Sequence, residues 1–180
     1  MQRPLQFSSR PKYCHKVRCD CRETGPNLYR RSFYTFWKRT CPPPALVAFD
    51  APDRETCLIR RARTNTPLQS LVLMNDPTYV EAARKLAERV LTAGGDTPAS
   101  RLDCAFRLAA ARPAGAADSE TVLPLVAQAA ERFRAEPAQA QALLHVGASA
   151  FDASLDPAEL AAWTVAASVI LNLDETITRP

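Results

Sequence analysis

Five times beyond Arg63, a residue whose side chain can accept a hydrogen bond is followed at once by proline: Thr66-Pro67, Asp76-Pro77, Thr97-Pro98, Glu136-Pro137 and Asp156-Pro157. No other feature of the chain restricts its fold as much. Proline suits the first position of a helix, because its missing N–H would be unpaired there anyway and its fixed φ is already helical. The residue before it then caps the free amides of the first turn, a task that Thr and Asp perform well and Glu poorly. Thr66 with Gln69 and Asp156 with Glu159 also have the spacing of a capping box. Five pairs therefore predict five helix starts, and Asp118 marks a sixth.

The periodicity behind each start agrees. After Asp76, Tyr79, Ala83, Leu86 and Val90 form one apolar stripe with Val80, Ala87 and Leu91 alongside, ended by Gly94-Gly95. Leu102, Ala105, Phe106 and Ala109 form the next stripe before Pro113. Val122, Val126, Ala129, Ala130 and Phe133 continue the pattern after Asp118, with Pro124 inside it as an expected kink or delay. A short helix from Pro137 ends at Gly147, and a last one carries Leu160, Trp163, Ala167, Ile170 and Leu171. No alternating strand pattern competes with these, so the expected class is all-α: an irregular bundle of about six helices.

The first third of the chain is different. Residues 1–24 mix Arg, Lys, Cys, Pro and Ser without a period and read as a disordered basic tail, leaving 25–180 as the helical domain. In LYRRSFYTFWKR, the 29/33/36/37 spacing predicts a helix with Arg30 and Arg31 beside its aromatic face. The following TCPPPALVAFDAPDRE reads as an extended proline-rich strap, because three successive prolines oppose a helix. The net charge of +4 is placed unevenly: residues 1–31 hold eight Lys or Arg against two acids, and the remainder holds fifteen against seventeen. One basic tail without aromatic interleaving is a weak footprint, so nucleic acid is not an expected partner. The N-terminus lacks an apolar signal-peptide core, and the run AAWTVAASVIL is too short and polar to span a bilayer. Made as written, the chain stays in the cytoplasm.

Catalytic and metal signals are sparse. Cys14, His15, Cys19 and Cys21 are candidate zinc ligands, but they lack the paired C-x-x-C spacing of a structural zinc site, so no metal is expected. The absence of C-x-x-C-H removes the usual attachment of c-type haem. VGASAF beside His145 is not G-x-S-x-G and follows a helix rather than a strand; His145 suits a helix C-terminus instead. Asp50, Asp53 and Glu55 offer an acid and a base for a carboxylate-based hydrolase acting on glycans, which needs two carboxyls about 5 to 10 Å apart across a cleft. The competing expectation is that these acids pair with Arg60, Arg61 and Arg63, whose planar guanidinium groups favour carboxylates. Thr66, Gln69, Asn75 and Asp76 then belong to a tight corner between two helices, and Asp174 and Glu175 provide further acidic partners for the arginines.

The strings LYRRSFYTFWKRT, FDAPDRETC, RTNTPLQSLVLMNDPTYVEAARKLAERV, ALLHVG and LAAWTVAASVILNLDETITR together resemble the C-terminal part of a family of large planctomycete proteins. The resemblance runs from about Gly25 to Arg179, whereas residues 1–24 depart from it. It implies relatives that are secreted or surface-bound, with cytochrome c modules near the N-terminus followed by paired domains of unknown function. It also implies that haem c belongs to a module this chain does not contain, and that the chain is a truncated member. The expected role is a non-catalytic helical structural or interaction module whose partners are other domains of the full-length protein or a surface partner.

Overall fold

The computed structural model describes residues 25–35, 37, 42–53, 55–60 and 62–178. These residues are helical wherever they are regular, and no strand occurs among them. The chain divides into two compact units, Met1–Thr64 and Asn65–Pro180.

Within the first unit, the aromatic segment does not form one helix. It forms two 3-10 turns, Gly25–Tyr29 and Ser32–Tyr34. The physical reason is local: a run this short cannot recover the cost of helix nucleation without a packed face, and aromatic residues are mediocre helix formers. Phe36, Lys38 and Arg39 lie outside the described residues. The proline strap also departs from the expectation, because its third proline starts a short helix, α1 (Pro44–Ala48). Pro42 and Pro43 stay outside the helix, Pro43 with a ψ of 124°, while Pro44 takes the first helical position, where its missing N–H costs nothing.

The second unit holds the remaining helices: α2 (Pro67–Asn75), α3 (Pro77–Ala93), α4 (Pro98–Ala110), α5 (Ala116–Ala135), α6 (Pro137–Leu144), α7 (Pro157–Leu171) and α8 (Asp174–Ile177). Each of the five cap-proline pairs opens a helix. Thr66, Asp76, Thr97 and Asp156 accept from backbone amides of their first turns. Glu136 makes no such bond; its carboxylate takes the Gln139 amide instead. The sixth helix begins earlier than expected, at Ala116, with Asp118 in its first turn accepting from the Gly115 N–H at 2.8 Å. Pro124 neither ends nor delays α5. It lies on the exposed side of the continuous helix, where the one backbone bond it removes can be replaced by water.

α7 is the axis of this unit. Leu160, Ala161, Ala162, Trp163, Thr164, Ala166, Ala167 and Ile170 are all buried, so this helix is covered almost all round. α3 and α5 pack against it most extensively, and α4, α6 and α8 close the remaining sides. Its four buried alanines let these neighbours approach closely, while Phe106, Phe133, Leu102 and Leu144 fill the space between. No described helix is long and apolar enough to cross a membrane.

Candidate functional site

The most heavily buried charges in the second unit are two residues on α3, Glu81 and Arg84. Both lie within the helix's apolar surface, near Ala83 and Ala87. Burying a charge is expensive unless it is paired and fully hydrogen-bonded, so the partners identify what these groups do. The Glu81 carboxylate accepts from the Ala148 N–H at 2.7 Å and the Ser149 N–H at 3.1 Å. The Arg84 guanidinium donates to the Leu144 carbonyl, to the Ser149 carbonyl at 2.7 Å and to the Ser149 hydroxyl at 2.9 Å. Lys85 adds a bond to the Ala150 carbonyl and pairs with Glu88, both at 2.7 Å. Arg84 Nε lies 3.9 Å from the Glu88 carboxylate.

Apart from the contacts with Glu88, which stay on α3, these bonds converge on the last residue of α6 and the loop that follows it. That loop has few regular bonds of its own, and a loop held against a core must satisfy its backbone groups somewhere. Here one acid supplies acceptors for two adjacent N–H groups, and one arginine supplies donors for two carbonyls. Gly147 makes the approach feasible. Its φ of +104° is unfavourable for other residues, and a Cβ there would come within 2.3 Å of Glu81 Oε2. At the loop's entry, His145 caps α6 and its Nδ1 lies 2.7 Å from the Gln141 carbonyl, a bond that requires the proton on Nδ1. The imidazole meets Phe151 edge to face, with centroids 5.2 Å apart.

A second charged cluster joins α8 to the start of α5. Arg112 makes a two-pronged bond to Glu175, at 2.8 and 2.7 Å, and reaches Asp118 at 2.6 Å. The guanidinium carbon stands 4.7 Å from the centroid of the Phe106 ring. Glu175 and then Asp118 hold the Arg112 pKa above its usual range, and Arg112 in turn holds the Asp118 carboxyl below its own. Asp103 is lowered mainly by its bond from Arg107, and Asp152 mainly by its bond from the Ser154 hydroxyl.

The residues singled out from sequence fall into separate groups. Thr66 and Gln69 form a reciprocal box at the head of α2, with Gln69 buried. Asn75 donates to the Leu71 carbonyl at 2.8 Å, and Asp76 ends α2 while capping α3 through the Thr78 N–H at 2.8 Å. Burial and the Asp76 charge raise the pKa of nearby Tyr79. Asp174 accepts from Asn65 at 2.8 Å, and Glu175 is taken by Arg112. In the first unit, Asp50 accepts from both the N–H and the hydroxyl of Thr64, at 2.8 and 2.7 Å. Asp53 accepts from the Glu55 N–H at 2.9 Å, and both acids are exposed, as are Arg60 and Arg63. Arg61, Cys14, His15, Cys19 and Cys21 lie outside the described residues. No group of three metal-ligating side chains occurs among the described residues.

Glu81, Arg84 and Arg112 escaped the sequence reading. One signal was available for Arg84: it falls on the apolar stripe, four residues after Val80 and three before Ala87, where a charge is out of place.

A protein-family model described as PSD1, protein of unknown function (DUF1553), matches residues 2–126. No curated protein and no solved structure matches the chain.

Proposed function

We propose a role that proceeds from one premise: the chain belongs to the DUF1553 family of proteins of unknown function. In this reading it is a non-catalytic helical module that supports or docks to other domains of a planctomycete surface protein of the cytochrome c type. The observation that carries the reading is the use made of Glu81 and Arg84. Catalytic acids and bases present free lone pairs or protons to a substrate, whereas these two buried charges are directed at the backbone of their own chain. Haem c belongs to the cytochrome modules of the larger relatives, and this chain has no C-x-x-C-H with which to attach it.

The alternative is glycan hydrolysis by Asp50, Asp53 and Glu55. Exposure of Asp53 and Glu55 is the observation in its favour, since exposed carboxylates are accessible to a polymer. A panel of neutral and acidic polysaccharides, assayed for released reducing ends, separates the two. The module reading expects no turnover above buffer. Turnover that disappears in the Asp50→Asn, Asp53→Asn, Glu55→Gln triple variant would establish the hydrolase instead.

A further inference from the structure

We propose that the segment from Tyr29 to Tyr34 is a binding surface for an acidic polysaccharide. The first argument is composition. From Gly25 to Phe49 the chain contains no Asp or Glu, while it contains Arg30, Arg31, Lys38 and Arg39. A stretch of that length without a carboxylate leaves its arginines uncompensated from within, and Arg30 and Arg31 are both exposed. The second argument is the company they keep. Phe33 is 79% exposed, Tyr34 64% and Tyr29 58%, in two 3-10 turns too short to bury a face of their own.

Arginine beside exposed aromatic rings fits a polymer that carries both negative charge and apolar surface. Guanidinium groups bind carboxylate or sulfate through two parallel bonds. The face of an aromatic ring is electron-rich, and it attracts the polarised C–H groups on one side of a pyranose. The ring geometry favours sugar over nucleic acid. Phe33 and Tyr34 meet edge to face, 5.3 Å apart with their planes at 89°. Successive bases need successive parallel platforms. Perpendicular to each other, Phe33 and Tyr34 do not form such a parallel pair, whereas one pyranose needs the face of only one ring.

The test is a titration of the full chain with polygalacturonate, an uncharged glucan and an oligothymidylate, at fixed salt because polyanion binding depends on it. The expected result is binding to polygalacturonate, none to the glucan, and at least about tenfold weaker binding to oligothymidylate. Arg30→Ser with Arg31→Ser should weaken the polygalacturonate complex about tenfold. Phe33→Leu with Tyr34→Leu should weaken it by a similar factor while leaving net charge unchanged and an apolar side chain at each position, so that loss cannot be attributed to the basic N-terminal residues. The proposal is overturned if polygalacturonate does not bind, if oligothymidylate binds as tightly, or if the aromatic double variant binds like the original chain.

Discussion

Single residues in this protein do work that their immediate sequence neighbourhood only partly reveals. Asp76 is the legible case: an acid before proline, capping α3 through the Thr78 N–H. Replacing it with Ala removes an ordinary cap, and chemical denaturation should show a loss of about 0.5 to 2 kcal/mol. Gly147 is the illegible case. Nothing around it announces that its hydrogen faces a buried carboxylate or that its φ is positive. Gly147→Ala combines a left-handed strain with a clash against Glu81 and should cost more than about 2 kcal/mol. A variant as stable as the original would mean that the loop can leave Glu81 without penalty.

At the scale of elements, the five helix starts were readable because capping and proline chemistry is local: donor, acceptor and fixed φ lie within four residues of one another. What was not readable depends on contacts between distant positions. Arg112 and Glu175 are 63 residues apart, and only the fold brings them together at 2.7 Å. The Tyr29–Tyr34 segment failed differently, since its helical spacing had no packed face to support it. Pro124 shows the limit of a rule taken alone: an interior proline implied a kink or delay, but α5 runs on unbroken through it and the missing bond lies on an exposed side. The bond is still lost. Pro124→Ala should therefore raise stability by about 1 to 3 kcal/mol, read as a shift of the denaturant midpoint. A destabilised variant would show that the proline ring is needed for packing.

For the whole molecule, the lowered carboxyls give the sign of their own contribution to the response to acid. Asp103, Asp118 and Asp152 all have folded-state pKa values below their ordinary range, held there by Arg107, Arg112 and Ser154 respectively. A lowered carboxyl contributes stability that is fully present above its unfolded pKa, about 3.9, and is lost as pH falls through the lower folded value. Melting temperature should therefore vary little between neutral pH and about 5 on their account and begin to decline below about 4, modestly because all three carboxyls are near the surface. Tyr79 acts in the opposite direction, because its raised pKa gives stability that is present below about 10 and lost as pH rises beyond it. A collapse centred near pH 6 would assign the transition to some other group.

The central claim is that the buried charges of α3 serve to hold the chain's own loop. It is tested most directly by native-state hydrogen exchange of the Ala148 and Ser149 amides, compared between the original chain and Glu81→Gln. The account predicts slow exchange at both amides in the original chain. In the variant, protection there should fall at least about tenfold, as a charged acceptor is replaced by a neutral one, while the α7 amides lose much less. Fast exchange at both amides in the original chain, or equal protection in the two proteins, would contradict it.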